Sequence, residues 1–365
     1  MTRVPVALPA FPWDSLAPAK AKAAAHPGGL IDLSVGTPVD PTPEIAEVAL
    51  RGNSQAPGYP QTWGTAELRS SIIGYLCRRW HATRLNERQV LPTVGSKELV
   101  AWLPTLLGIG AGDVVVIPTL AYPTYDIGAR IAGAKVVPCD DPTRMAQFRP
   151  SLIWINSPAN PHGAILTTEL TRAWVQAARA VGAILVSDEC YGEFVWEGES
   201  VSVLQESVNG GSLRGLIAVH SLSKRSNMAG YRAGYLAGDE EIVQELLEIR
   251  KHAGMMVPWP VQAAMKAVLD DDCQTRIQRE RYAHRRAILR PALAAAGLRV
   301  EHSQGSLYLW VTQGVDCWQT IDFLAERGIL AAPGSFYTSQ GSAFVRIALT
   351  AADAQIEAAA ARLRG

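Results

Sequence analysis

The sequence lacks the patterns that mark several large protein classes. Its five cysteines form no Cys-x-x-Cys pair and no cluster with histidine at metal-ligand spacing, so we expect reduced thiols and no metal site. No run of about eighteen apolar residues occurs, so no membrane span is expected. The formal net charge is zero, which gives no electrostatic reason to expect a nucleic-acid or membrane partner. No apolar stretch of signal-peptide length follows Met1, so we expect a cytoplasmic protein.

Several catalytic and nucleotide-binding motifs are also missing. No Gly-x-Gly-x-x-Gly follows a strand, which argues against a nicotinamide cofactor. The segment 128–135 resembles a phosphate loop but has Ala134 where the lysine is needed. Neither Gly-x-Ser-x-Gly nor His-Glu-x-x-His occurs, so serine-hydrolase and zinc-protease chemistry are not indicated.

What is present is a chain long enough for two domains, with 365 residues of which 48% are apolar and 19% charged. Apolar strand-like runs alternate with helical segments over about 150 residues, which predicts an α/β domain built on a mostly parallel sheet. The last part of the chain alternates again after a long helical stretch, which indicates a smaller α/β domain with an antiparallel element. The predicted division is an N-terminal arm at 1–20, a large domain at 40–255, and a small domain at 21–39 plus 256–365.

Four polar segments follow predicted strands, at the edge where open α/β sheets bind ligands. They are Gly95-Ser96-Lys97, residues 156–163, residues 188–191 and residues 221–232. Any one of them is also what an ordinary turn or strand end looks like. Their combination in one order is more informative, because each supplies a different chemical group.

Together the four segments describe a pyridoxal phosphate site. A glycine turn that opens a helix presents free N–H groups to a phosphate, and Arg232 adds a cation. Asp188 suits a protonated pyridine nitrogen, while Asn160 and Tyr191 suit a phenolate oxygen. Burial at the strand end would lower the pKa of Lys224, and a neutral amine can form a Schiff base with an aldehyde.

The motifs Asn-Pro-x-Gly, Asp-Glu-x-Tyr, Ser-x-Ser-Lys and Gly-x-Arg-x-Gly, in this order, resemble the class I/II aminotransferases of pyridoxal phosphate fold type I. The resemblance covers the whole chain. It implies a large domain with a mostly parallel seven-stranded sheet between helices, plus a smaller α/β domain. It also implies a homodimer with shared active sites that acts on amino acids and 2-oxo acids.

The resemblance assigns roles residue by residue. It implies that Lys224 holds the cofactor aldehyde and moves a proton between substrate Cα and cofactor C4′. Asp188 would pair with the pyridine nitrogen, and Asn160 and Tyr191 would contact O3′. Arg346 would hold the substrate α-carboxylate through a bidentate fork. The other implied contacts are Gly95, Ser96, Lys97, Ser221, Ser223 and Arg232 around the phosphate, Tyr122 on the ring, Gly36 near the carboxylate, and Tyr59 reaching the neighbouring subunit's phosphate.

More narrowly, residues 11–17, 32–40, 58–62 and 256–258 resemble actinobacterial N-succinyldiaminopimelate aminotransferases. That resemblance implies transfer from N-succinyl-L,L-diaminopimelate to 2-oxoglutarate, in lysine biosynthesis. Lys97, Arg225 and the N-terminal arm are candidates for binding the distal part of such a donor. Three alternatives remain open: an aspartate or aromatic aminotransferase, a cystathionine β-lyase-like enzyme, and a non-enzymatic binding module of a transcription regulator. The last would normally carry a DNA-binding extension, which is not seen.

Overall fold

The computed structural model describes residues 8–9 and 12–365. The strands are β1 (Ile31–Asp32), β2 (Val90–Val94), β3 (Val114–Ile117), β4 (Lys135–Pro138), β5 (Leu152–Asn156), β6 (Ile184–Asp188), β7 (Leu216–Ser221), β8 (Ala233–Gly238), β9 (Arg299–Glu301), β10 (Tyr308–Thr312), β11 (Ile329–Leu330), β12 (Ala332–Pro333) and β13 (Val345–Ala348).

The α-helices are α1 (Ala17–Ala24), α2 (Glu44–Gly52), α3 (Ala66–Trp80), α4 (Gly95–Leu106), α5 (Thr124–Ala132), α6 (Met145–Phe148), α7 (Thr168–Val181), α8 (Glu206–Asn209), α9 (Leu222–Arg225), α10 (Glu240–Ala253), α11 (Trp259–Asp270), α12 (Asp272–Ala295), α13 (Cys317–Glu326) and α14 (Asp353–Arg364). Within the described ranges no helix is long and apolar enough to cross a membrane.

A seven-stranded sheet forms the larger layer, with strand order β2-β8-β7-β6-β5-β3-β4. β8 runs antiparallel to both of its neighbours, β2 and β7, and the other pairs in this sheet are parallel. Every residue of β5, β7 and β8 is buried, because helices cover both faces of the sheet. The mostly parallel α/β sheet predicted from the apolar runs is therefore confirmed.

The C-terminal part of the chain forms a second, smaller layer. β12, β13, β10 and β9 make an antiparallel sheet, and β1 pairs in parallel with β11. In the antiparallel sheet Trp310 lies opposite Arg346, and Tyr308 lies opposite Ala348. A separate apolar core joins this sheet to α12, α13 and α14. The predicted antiparallel element is thus present.

Helix α11 packs against α2 and α3, and its apolar residues belong to a core that the large sheet shares. The sequence pattern instead predicts that residues 256–365 belong to the small domain. Val261, Met265 and Leu269 lie on one helix face, so this helix covers large-sheet core before the chain crosses to the smaller layer.

The N-terminal segment, predicted to be an arm at residues 1–20, is described only in part. Residues 1–7, 10 and 11 of that arm lie outside the described ranges. From Pro12 onward the chain is helical, first as a 3-10 helix (Pro12–Leu16) and then as α1. The helix tolerates Pro18 because a proline in the first turn removes no intrahelical hydrogen bond.

Candidate active site

Three neighbouring parallel strands end side by side and carry polar residues at their last positions. β5 ends at Asn156, β6 at Asp188 and β7 at Ser221. Asn156 lies opposite Asp188 in the sheet, and Asn156 Nδ2 donates to the Asp188 carbonyl oxygen at 2.8 Å. The candidate site therefore forms at the carboxyl edge of the large sheet.

Lys224 lies in the short helix α9, directly after β7. Ser221 caps this helix, since its Oγ accepts a hydrogen bond from Ser223 N at 3.1 Å. Lys224 Nζ donates to the carbonyl oxygen of Gly36, in the segment that precedes α2. Burial lowers the pKa of Lys224. The unprotonated amine, which is the nucleophilic form, is thereby favoured.

Asp188 is a buried carboxylate with hydrogen-bond donors but without an ion-pair partner among the described residues. Tyr125 Oη donates to its Oδ2 at 2.6 Å, and Cys190 N donates to its Oδ1 at 3.1 Å. Burial raises the pKa of Asp188, while these two hydrogen bonds oppose that rise. A buried carboxylate in this state gains most from a nearby cationic N–H group.

Arg346, on β13, brings the smaller sheet into contact with the edge of the larger one. Its Nη1 donates to Asn160 Oδ1 at 3.0 Å, and its Nη2 donates to the Ser34 carbonyl at 2.7 Å. Its Nε is buried and has no hydrogen-bond partner within the described structure. Arg346 is itself only 4% exposed, so it presents a desolvated cation with unused donor capacity.

Three tyrosines surround this arginine. Tyr308 and Tyr191 place their hydroxyl oxygens 3.0 Å apart. The guanidinium carbon of Arg346 lies 3.9 Å from the centre of the Tyr308 ring and 5.2 Å from that of Tyr337. The Tyr337 hydroxyl is buried and has no partner in the part of the chain described. Nearby, Tyr122 is half-buried, and burial raises its pKa to about 12.

A second cationic position forms where α4 begins. Gly95 has a φ of +72°, and a Cβ at this residue would lie 2.5 Å from Arg232 Nη2. A Cβ on Gly234 would lie 3.0 Å from Ser96 N. Both glycines are therefore required for close approach, and they let the Arg232 guanidinium meet the N-terminus of a twelve-residue helix. Ser96 is half-buried beside them.

Two of the residues singled out in the sequence lie outside this set of contacts. Tyr59 is 96% exposed and projects into solvent from the loop before α3. The Lys97 side chain is exposed on the first turn of α4. The structure does join Gly36, Asn160, Asp188, Tyr191, Lys224 and Arg346 through one connected set of contacts between the two sheets, here called the cleft, with Ser221 and Ser223 in the helix cap. Their individual roles stay predictions.

Sequence reasoning missed Tyr125, Tyr308 and Tyr337. Tyr125 lies in the first turn of α5, three positions after Tyr122, and its place next to a predicted ring contact is a signal available in the sequence. Tyr308 and Tyr337 lie in the small domain, and no local pattern separates them from core aromatics.

Arg225 does not have the location expected for a cation that binds the distal part of a substrate. It is 3% exposed, and its guanidinium donates to Thr275 Oγ1 at 2.6 Å and to the Val268 carbonyl at 3.3 Å. The same group lies 4.4 Å from the centre of the Tyr75 ring. Arg225 therefore joins α9 to α11, α12 and α3, and its hydrogen-bonding capacity is directed into the protein.

The family model for "Aminotransferase class I and II" matches residues 29–363 of the chain. A "Probable aminotransferase" of Mycobacterium tuberculosis is 57% identical over 360 residues, which cover 99% of this chain and 86% of that protein. The 4-dedimethylamino-4-oxo-anhydrotetracycline transaminase of Streptomyces rimosus is 53% identical over 356 residues, covering 98% of this chain and 99% of that protein.

Among solved structures, a probable N-succinyldiaminopimelate aminotransferase from Thermus thermophilus superposes with a TM-score of 0.86. It is 28% identical, and the match covers 97% of this chain and 99% of that one. The agreement extends over both the large sheet and the smaller layer.

Proposed function

The chain belongs to the class I and II aminotransferases, and on that premise we propose that its amino donor is N-succinyl-L,L-diaminopimelate. Members of this family depend on pyridoxal phosphate and act on amino acids and 2-oxo acids. The proposed acceptor is 2-oxoglutarate, and the products are N-succinyl-2-amino-6-oxopimelate and glutamate. We assign this step to lysine and diaminopimelate biosynthesis in the cytoplasm.

The observation that carries the reaction is that Arg346 and Lys224 lie in the same cleft. Arg346 offers a buried cation with an unpaired Nε, which suits the α-carboxylate shared by every amino-acid and 2-oxo-acid substrate. Lys224 offers an amine whose pKa is lowered by burial and, further, by the nearby Arg346 charge. The choice of donor is supported by the similarity to the probable N-succinyldiaminopimelate aminotransferase of Thermus thermophilus and by the resemblance in segments 32–40 and 58–62.

The cleft residues fit pyridoxal phosphate. Asp188 is a buried carboxylate without an ion-pair partner among the described residues, which matches a protonated ring nitrogen. The glycine-lined start of α4 next to Arg232 matches a phosphate dianion. Asn160 Oδ1 accepts from Arg346, so the amide N–H groups of Asn160 remain to donate to a phenolate oxygen.

When bound, the cofactor supplies an aldehyde that takes up amino groups and a ring that withdraws electrons from the substrate Cα. Asp188 holds a proton at the ring nitrogen, and Asn160 and Tyr191 orient the ring through its phenolic oxygen. Arg346 fixes the substrate carboxylate, which places the Cα–H bond near Lys224. Lys224 Nζ would then accept the proton from substrate Cα and deliver it to cofactor C4′.

We propose that two copies of the chain complete each site. The phenol of Tyr59 lies on an exposed loop, outside the contacts of the cleft in the same chain. This supports a role at the phosphate bound by a second copy. Most small homo-oligomers are two-fold symmetric, so each copy would give and receive one such tyrosine.

The donor is tested by half-reactions that follow loss of the cofactor's visible absorption when an amino acid is added. We expect N-succinyl-L,L-diaminopimelate to react with a second-order rate constant about 100-fold above those of aspartate and phenylalanine, since a distal acyl-carboxylate arm adds polar contacts. Glutamate should react as well, because it is the amino product of the reverse direction.

Other outcomes identify other substrates. Faster reaction with aspartate or phenylalanine would rule out the proposed donor, and pyruvate release from cystathionine would indicate a C–S lyase. A second candidate acceptor is a polycyclic ketone, favoured by the similarity to the Streptomyces rimosus transaminase. It is tested by adding that enzyme's oxo-anhydrotetracycline to glutamate-treated enzyme and following recovery of the absorption.

A further inference from the structure

The hydroxyl of Tyr308 lies where three proposed functional groups meet. It is 3.0 Å from the Tyr191 hydroxyl, and both side chains are buried. It also packs so tightly against Gly36 that a Cβ at residue 36 would collide with it. The carbonyl oxygen of Gly36 in turn accepts the hydrogen bond from Lys224. The Tyr308 hydroxyl thus contacts both Gly36, which is hydrogen-bonded to Lys224, and Tyr191, the proposed partner of the cofactor's phenolic oxygen.

The ring of Tyr308 has a separate contact. β10 and β13 are antiparallel, and Arg346 lies opposite Trp310, two residues from Tyr308. Residues two apart share a face of the sheet, so the Tyr308 ring lies diagonally across from Arg346. The guanidinium carbon is 3.9 Å from the ring centre, a cation–π distance. Ring and hydroxyl therefore act on different partners and can be separated by substitution.

We infer that Tyr308 is a positioning residue whose hydroxyl orients Tyr191 and whose ring supports Arg346. The inference rests on the proposed roles of Tyr191 at the phenolic oxygen and of Arg346 at the substrate carboxylate. The two hydroxyls share one hydrogen bond. If Tyr191 gives its proton to the cofactor oxygen, the proton between the two tyrosines must come from Tyr308. Tyr308 is then the donor, and it makes Tyr191 the stronger donor in turn.

Loss of that hydrogen bond has a spectroscopic consequence. If Tyr191 is a weaker donor, the negative charge on the phenolic oxygen is less stabilised. The bound cofactor then holds the proton that controls its absorption more tightly, and the pKa of that proton rises. We expect Tyr308→Phe to raise the midpoint of the pH-dependent change in cofactor absorption by about 0.5 to 1 unit, the equivalent of one ordinary hydrogen bond. The KM for the amino donor should change by less than about twofold, because the ring under Arg346 remains.

Tyr308→Leu removes the ring as well as the hydroxyl. We expect the same upward shift in the absorption midpoint, together with a KM increase of about tenfold for every amino-acid substrate. Tyr235→Phe is the matched control. Tyr235 is equally buried, its hydroxyl is unpartnered among the described atoms, and its ring stacks on His220 behind the sheet edge. This control should leave both the midpoint and KM unchanged.

Tyr191→Phe separates failure of the inference from failure of the proposed site. If Tyr191→Phe shifts the midpoint and Tyr308→Phe does not, the role of Tyr308 is refuted while the site stands. If Tyr191→Phe causes no shift, the proposed role of Tyr191 is itself wrong. A Tyr308→Phe enzyme with raised KM and an unmoved midpoint would also overturn the inference, since it would place the hydroxyl at the substrate.

Discussion

At the scale of single residues, an unusual buried pair is formed by the chain neighbours of Asp188 and Ser221. Glu189 Oε2 and His220 Nε2 are 3.4 Å apart, and both side chains are almost fully buried. Burial raises the pKa of Glu189 to about 7 and lowers that of His220 to about 3. Below neutral pH the pair therefore consists of a protonated carboxyl and a neutral imidazole rather than an ion pair.

Glu189→Gln should stabilise the protein at alkaline pH. The folded state holds a proton on Glu189 that the unfolded chain releases above its ordinary pKa of 4.5, so wild-type stability falls as pH rises from about 4.5 to about 7. Glutamine has no such proton to lose. We expect its melting temperature to exceed the wild-type value by about 3 °C or more at pH 8, and the gain to shrink at pH 6.

Thermal unfolding of both proteins at the two pH values measures this difference. Glu199→Gln serves as the control, because Glu199 is exposed and its neutralisation should change little. An equal gain at pH 6 and pH 8 would show that Glu189 is not the titrating group.

The sequence indicates site residues to the extent that local patterns mark strand ends. Asn160, Asp188 and Lys224 each follow an apolar run, and the structure places them in one cleft. Tyr308 is different, because its partner Tyr191 lies 117 positions away in the chain. Only the packing of one sheet on the other decides that two hydroxyls meet there. Arg225, expected near the substrate, is instead engaged by Thr275, again through tertiary contacts.

At the scale of elements, α4 and α5 pack unusually closely through Gly128. A Cβ on this glycine would lie 2.8 Å from the Val100 carbonyl oxygen and 2.9 Å from that of Ala101. Both are backbone atoms of α4 and cannot rotate away. The contact matters to the site, since α4 begins at Gly95 and α5 carries Tyr125.

Gly128→Ala should destabilise the protein by about 1–3 kcal/mol, as the two helices must separate. Gly74→Ala in α3 is the matched control. Its Cβ would meet only the flexible end of Arg78, at 3.3 Å, so alanine should add up to about 1 kcal/mol of helix preference. Urea unfolding measures both. A Gly128→Ala protein as stable as Gly74→Ala would show that the two helices have room for a methyl group.

Elements were predictable where the pattern is local. Residues 113–118 and 151–156 include continuous apolar runs, a pattern typical of buried strands, and β3 and β5 form there. A threonine such as Thr65 before a helical pattern favours a helix start, and its Oγ1 accepts from Leu68 N at 3.1 Å. The strand order β12-β13-β10-β9 could not be predicted, because local sequence patterns do not determine which distant strands pair. The 3-10 helix Pro12–Leu16 could not be predicted, because the density of prolines in this segment disfavours a regular helix.

At the scale of the whole molecule, the cleft exists because two sheets meet. Lys224 and Asp188 come from the large sheet, and Arg346 and Tyr308 come from the smaller one. Gly36 joins them through the segment that precedes α2. Arg346, the proposed carboxylate-binding cation, and Lys224, the proposed reactive amine, come from different layers, so the proposed site belongs to the assembled chain. The proposed contact of Tyr59 with a neighbouring copy would make a second chain part of the same site.

We propose that Lys224 of one copy acts with Tyr59 of another in each site. Lys224→Ala and Tyr59→Ala proteins are each expected to have almost no activity. Unfolding and refolding an equal mixture lets the subunits exchange, and about half of the dimers should then be hybrids. In each hybrid one site has neither substitution and the other has both.

Transaminase activity of the refolded mixture is the deciding measurement. We expect about one quarter of the wild-type specific activity, from one intact site in half of the dimers. Activity no higher than that of the two separately refolded variants would contradict the claim, because Lys224 and Tyr59 would then not be supplied by different copies.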